Sequence, residues 1–206
     1  IWTEAGVEGA HRFVQRVWRL LGDGLPLTAG KAAGERSEAA LALAKATHKT
    51  LAAVEDDIEK LGFNRAVARL YEFANTIGRV VASGAAVAAD PSLATALDEA
   101  LDVLVRLIAP MMPHLAEECW TQLGRDGLVS ESPWPTVDRA LVVDDTVTLP
   151  IQINGKKRAE LTIARSAGEA EVREAVLALD AVKAALGGNA PKKVIVVPLR
   201  IVNVVA

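Results

Sequence analysis

Apolar residues recur at helical spacing through the first part of this chain and switch to alternation near its end. Val7, Ala10, Val14, Val17 and Leu21 predict a first helix, closed by Gly22-Asp23-Gly24. A second helix is expected over 37–61, burying Leu41, Ala44, Leu51, Val54 and Ile58, with His48 on the same stripe and Gly62 as its stop. Asn64 is placed to cap a third, whose apolar positions include Val67, Leu70, Phe73, Ala74 and Ile77. Asp90-Pro91 reads as a helix start, with the acid at the cap and proline in the first turn. The helix it opens buries Leu93, Leu97, Leu101, Leu104 and Ile108 and stops at Pro110; Pro113 begins a short last helix reaching Leu123. About five helices on short connections predict a helical bundle over 1–125.

Past residue 145 the rhythm is different. Val147, Leu149, Ile151 and Ile153 alternate with polar or breaker residues, Asn154-Gly155 predicts a hairpin, and Ala159, Leu161 and Ile163 alternate on the return. A strict two-residue turn would set Ile151 opposite Arg158, with the apolar faces out of phase. Pairing Ile151 with Ala159 and Leu149 with Leu161 therefore requires a three-residue loop or a bulge just after Gly155. A helix over 169–186, carrying Val172, Val176, Leu179 and Val182, and strands over 194–197 and 201–205 complete a small ββαββ domain over 146–206. Between the two, residues 126–145 contain Gly127, Ser130, Ser132 and Pro133-Trp134-Pro135, the composition of a linker, with Trp134 expected to dock on one of the domains. The expected fold class is multi-domain: a helical bundle followed by a small α+β domain.

Composition narrows the function classes. With 51% apolar residues and a net charge of −3 over 206 residues, the chain is too apolar for disorder. A single cysteine, Cys119, excludes an internal disulfide and any site built from several thiolates. No apolar run approaches the roughly twenty residues of a membrane span, and there is no signal peptide, so a cytoplasmic protein is expected. The chain begins with Ile1 rather than Met, which suggests a piece of something longer. Net charge conceals an asymmetry: residues 146–206 hold nine Lys/Arg against five Asp/Glu, a balance of +4, while the first 145 residues stand at −7.

The nucleophile elbow, the P-loop, the dinucleotide fingerprint and the HExxH zinc motif are all absent. His11, His48 and His114 are scattered; His48 reads as a satisfied core residue and Cys119 as a buried structural one. Glu55, Asp56, Asp57 and Glu59 point several ways round a helix and read as a solvated face rather than a metal site. Glu117 and Glu118 suit the positive end of a helix dipole. Trp2, Trp18, Trp120 and Tyr71 read as core anchors. No catalytic residue, metal site or cofactor is expected within the chain. Basic groups are more suggestive. Arg12, Arg16 and Arg19 share one helical stripe, Lys156, Lys157 and Arg158 crowd the hairpin tip, and Lys192-Lys193 precede the third strand. Each set suits phosphate oxygens, and each also suits an ordinary solvated face or a strand edge protected from aggregation.

Several words of the sequence resemble the C-terminal part of class I aminoacyl-tRNA synthetases. Gly6 to Val14 (GVEGAHRFV), continuing to Arg16-Val17-Trp18-Arg19, is similar to the helix that follows their catalytic domain. His48-Lys49-Thr50, Asp57-Ile58 and Phe63-Asn64-Arg65-Ala66 resemble the next two helices. Ala109 to Glu118 (APMMPHLAEE), with Trp120 after it, resembles the Pro–His–Glu signature, and Ser132-Pro133-Trp134-Pro135 the exit of the helical domain. Val147 to Arg158, and Lys193 to Pro198 leading to Ile201 to Val205, resemble the C-terminal domain of the bacterial leucyl enzymes. The resemblance implies that the bundle is of the anticodon-binding type and lies along a tRNA stem, and that the small domain reaches the tRNA elbow. It also implies leucine-acceptor tRNA as the partner, a monomer, no membrane, and contacts through Arg12, Arg16, Arg19, Lys156, Lys157, Arg158, Lys192 and Lys193. The whole ligase would use ATP with magnesium, but the fragment lacks the catalytic and editing domains and would need no cofactor. The alternatives are the same region of a valyl or isoleucyl enzyme, or a helical protein-interaction module with an exposed apolar patch.

Overall fold

Thr3 caps the first helix, α1 (Glu4–Gly24), its hydroxyl accepting the Gly6 N–H at 3.2 Å. In the computed structural model, which describes residues 3–32, 34–143 and 146–205, this helix opens a helical unit. Its buried stripe is Phe13, Val17, Leu20 and Leu21. Val7 and Ala10, expected inside, are exposed, because the core reaches no further than Phe13, whose ring stacks on Tyr71 with centroids 4.0 Å apart. A 3-10 stretch (Leu25–Gly30) leads to α2 (Glu38–Glu59), capped by the Ser37 hydroxyl. Helix α3 (Phe63–Ala82) starts behind Gly62, not at Asn64 as the sequence suggested. Leu61 takes a left-handed φ of 56° to turn the corner, and a Cβ on Gly62 would come within 2.7 Å of the Arg65 guanidinium. The flexible end of Arg65 can yield, so the site prefers glycine without demanding it, and Asn64 sits two residues too late to cap.

After the short α4 (Gly84–Ala89), α5 (Pro91–Ile108) runs through the middle of the unit and buries all five residues expected of it. Asp90 caps it, accepting the Ser92 and Leu93 N–H groups. Helix α6 (Pro113–Gln122) buries Cys119 and Trp120. The segment that follows does not trail away as a connector. A 3-10 turn (Val129–Glu131) and a one-turn helix, α7 (Arg139–Val142), bind it back to the bundle, with Val129 and Leu141 buried. The Glu117 carboxylate accepts the N–H groups of Val129 at 2.8 Å and Ser130 at 3.2 Å. Arg106 donates to the Pro133 carbonyl at 2.8 Å, and Asp138 N–H to His48 Nδ1 at 3.0 Å. Lacking periodicity, this strap is held by side-chain-to-backbone bonds instead. Compact packing accordingly divides the chain into Ile1–Val142 and Val143–Ala206; Trp2 and residues 144–145 lie outside the described residues.

The second unit is a four-stranded sheet under two short helices. Strands β1 (Thr146–Ile153), β2 (Lys156–Ala164), β3 (Lys193–Val197) and β4 (Ile201–Val205) stand in the order β2-β1-β4-β3. Strand β1 is antiparallel to β2 and parallel to β4, and β3 is antiparallel to β4. Ile151 pairs with Ala159 and Leu149 with Leu161, as phase matching required. The device is a bulge at Arg158, while the turn itself is a two-residue one: Asn154 (φ 49°) and Gly155 (φ 80°) are both left-handed, as a primed hairpin turn demands. The helix expected over 169–186 is broken. Leu179 is extended (ψ 133°), splitting it into α8 (Glu169–Ala178) and α9 (Asp180–Leu186), so the order is ββααββ. Apolar spacing runs on through the break, which is why periodicity misses it. Leu149, Ile151, Val202 and Val204 face Val172, Val176 and Val182 across a core of their own.

Candidate nucleic-acid interface

Helix α1 presents Arg12, Arg16 and Arg19 on its exposed side because Phe13, Val17 and Leu20 claim the other. Arg12 Nη1 pairs with Glu8 at 2.6 Å, both side chains about two-thirds exposed. An exposed i,i+4 pair is worth roughly 0.3–0.5 kcal/mol, so a phosphate competes for this guanidinium at little cost. Arg16 donates to Asn75 Oδ1 on α3, which runs parallel to α1. Arg19 Nε reaches the Gln15 carbonyl at 3.4 Å. One turn beyond Asn75 stands Arg79, held by the Thr76 hydroxyl at 3.0 Å and, among the described residues, without an acidic partner. It extends the cationic surface across the α1–α3 seam. Its i,i+4 relation to Asn75 was in the sequence; the parallel seating of the two helices was not.

In the second unit the sheet topology gathers the other cations. Strands β1 and β4 run the same way, so the hairpin tip after Ile153 and the end of β4 lie at one end of the sheet. Lys156 pairs with Ile153, and Lys193 with Val205. Lys156–Arg158 and Lys192-Lys193 therefore occupy the two edges of that same end, three strand spacings or about 14 Å apart. The bulge sets both Lys157 and Arg158 opposite Gln152. Lys157 is bound to Glu160 at 2.6 Å, and its ammonium holds the Glu160 carboxyl below its ordinary pKa; Lys156 and Arg158 are exposed with no ion-pair partner among the described residues. Asn203 Oδ1 accepts the Gly155 N–H at 3.1 Å and Asn154 N–H reaches Val204 O at 2.9 Å, so β4 fixes the hairpin tip. An asparagine inside a run of Ile and Val was the one sequence signal for that tie.

The remaining polar clusters are structural. His48 is buried: Nδ1 accepts the Asp138 N–H, so the ring is the neutral tautomer protonated on Nε2, which meets Glu99 at 3.1 Å. Asp57, expected on a solvated face, is only 2% exposed and is gripped by Arg69 at 2.6 Å and Arg65 at 2.7 Å, which together hold its carboxyl below its ordinary pKa. Glu117 likewise stays ionised to lower pH, chiefly through the Val129 N–H; binding the strap, not the helix dipole, explains it. Burial pushes the Cys119 thiol up to about 11, the condition of an inert cysteine. Trp120 is buried under the Arg106 guanidinium, 4.8 Å from its centroid, and Tyr71 is half-buried against Phe13. Trp134 borders a cavity of about 260 Å³ with Pro110 and Pro113. Trp18 breaks the pattern, being 42% exposed rather than in the core. No group of three or more His, Cys, Asp or Glu able to hold a metal occurs among the described residues. No described helix is long and apolar enough to cross a membrane.

Residues 41–174 match the family described as the anticodon-binding domain of tRNA ligase. The chain belongs to the anticodon-binding family of tRNA ligases. That match begins within the first turn of α2, takes in α3 to α7 and runs into α8 of the second unit; α1 and its arginines precede it. Over all 206 residues the chain is 58% identical to a leucine–tRNA ligase of Sinorhizobium fredii and 59% to those of Sinorhizobium medicae and Mesorhizobium japonicum, spanning 24% of the length of each. It is also similar to the LeuRS chain of a solved Agrobacterium radiobacter K84 LeuRS–tRNA–LeuAMS ternary complex, with a TM-score of 0.77 at 31% identity over 99% of this chain and 26% of that one. Members of this family are therefore the frame for what the two basic surfaces do.

Proposed function

We propose that this chain is the tRNA-binding part of a leucine–tRNA ligase, holding leucine-acceptor tRNA by stem and elbow while another part of the longer polypeptide joins leucine to it with ATP. Identity to leucine–tRNA ligases along the whole chain, through both units, carries this reading. On the helical unit Arg12, Arg16, Arg19 and Arg79 offer forked donors to the phosphates of a stem. On the second, Lys156, Lys157, Arg158, Lys192 and Lys193 line one end of the sheet and meet the elbow. Contacts of this kind track backbone shape rather than sequence, which suits a folded RNA. Binding energy collected far from the reacting ends is spent on orienting the acceptor end for transfer. The ligase acts in the cytoplasm as a monomer.

Fluorescence anisotropy of labelled leucine-acceptor tRNA, titrated at several salt concentrations against the full natural polypeptide, tests the proposal. The affinity should fall with salt, each neutralised phosphate adding about 0.9 to the slope of log K against log salt. Equal affinity for an unstructured RNA of the same length, or a flat salt response, would count decisively against it.

A further inference from the structure

We propose that Arg65 and Arg69 form a phosphate-binding pair that continues the cationic surface of α1 and α3 to the α2–α3 corner, a site that rests on the RNA-binding reading above. On its inner side the Asp57 clamp joins the two helices; its outer side is free for a ligand. Asp57 is buried and its two oxygens are divided, Oδ1 accepting Arg65 Nε at 2.7 Å and Oδ2 accepting Arg69 Nε at 2.6 Å. Each guanidinium is thus held by one edge. The terminal nitrogens make no hydrogen bond among the described residues, and the two side chains are 62% and 42% exposed. Both therefore meet solvent as positioned forks, the geometry that matches phosphate oxygens.

Holding the corner together does not call for this arrangement. One arginine would neutralise Asp57 and could take both of its oxygens in a bidentate fork; the second leaves the cluster with a net positive charge. Arg65 also lies in the first turn of α3, where the helix dipole disfavours a cation. An anionic partner outside the protein accounts for both. Within the acidic first part of the chain, α3 stands apart, with three arginines against a single acid, Glu72, which makes no ion pair among the described residues. Arg65, Arg69 and Arg79 lie on the side of α3 that Ala66, Leu70, Phe73 and Ile77 leave free, spread over about 21 Å of helix. Arg16, bonded to Asn75, joins the row from α1. That span is too long for one small anion and suits successive phosphates of a strand.

The test compares the full natural polypeptide with its Arg65→Ala, Arg69→Ala and Arg65→Lys variants, using labelled leucine-acceptor tRNA at several salt concentrations. Arg173→Ala is the control, since Arg173 is paired with Glu169 on its own helix in the second unit. Each alanine variant leaves the other arginine on Asp57, so the buried carboxylate keeps a partner. Arg65→Ala and Arg69→Ala should each weaken binding several-fold and lower the slope of log K against log salt by about 0.9. Arg65→Lys should restore the slope, which counts charges rather than forks, and Arg173→Ala should leave it unchanged. A purely structural clamp would instead lower the denaturation midpoint of both alanine variants and keep the wild-type slope, and that result would overturn the proposal. So would an equal fall in slope for Arg173→Ala, because overall charge would then govern binding. Failure of the unmodified protein to bind tRNA would bring down the RNA-binding reading itself.

Discussion

Asp90 shows how much one side chain settles. Its carboxyl takes the Ser37 and Ser92 hydroxyls and the N–H groups opening α5, and they hold its pKa at about 2, against an ordinary value of 3.8. A carboxyl depressed in the folded state stabilises fully above its unfolded pKa, and that contribution is lost as pH falls toward the folded value. Asn at the same cap keeps the N–H bonds but does not titrate. The stability gap between the wild type and Asp90→Asn should therefore shrink as pH drops from about 4 to about 2, read from denaturant midpoints; parallel pH curves would contradict this account. The cap was legible in Asp90-Pro91, whereas the bond to Ser37, 53 residues away, was not. His48 and Cys119 were readable as core residues from their stripes. Asp57 and Glu117 were misread, because a carboxylate's partner on another element leaves no mark beside it in the chain.

At the scale of elements, glycine positions separate local from tertiary effects. Gly22 faces open space, so Gly22→Ala should raise stability by about 0.5–1 kcal/mol through helix propensity. Leu101 on α5 is fully buried, and Leu101→Ala should cost about 2–5 kcal/mol. Chemical denaturation of both variants checks the pair; a destabilised Gly22→Ala would mean that the end of α1 is not the open helix described. Periodicity placed the long helices and all four strands, and phase matching even required the hairpin bulge. It failed where one backbone angle changes within an unbroken apolar rhythm, at Leu179, and it was silent where bonds without rhythm bind a segment read as a linker to the bundle, in the strap over 126–142. It also shifted the buried stripe of α1, since spacing cannot tell how far along a helix the core extends.

Across the whole molecule, charge is divided by unit: an acidic helical part and a basic tail. If the tail's cations hold the elbow, replacing Lys156, Lys157 and Arg158 with Ala should weaken tRNA charging by the complete ligase several-fold and leave leucine activation intact. Equal loss of both would identify the hairpin tip as a folding element, not a binding one. Taken alone, the sequence determined the helical and alternating segments, the cap of α5, the hairpin register and the resemblance to tRNA ligases, because each of these is written in residues close together along the chain. Only the tertiary structure brought Lys156–Arg158 and Lys193 to one end of a sheet, bonded Arg16 to Asn75 one turn from Arg79, tied the strap to His48 and Glu117, and left Trp18 exposed. Those depend on which elements sit side by side, and the strand order and parallel helices that decide it are long-range pairings that local periodicity does not encode.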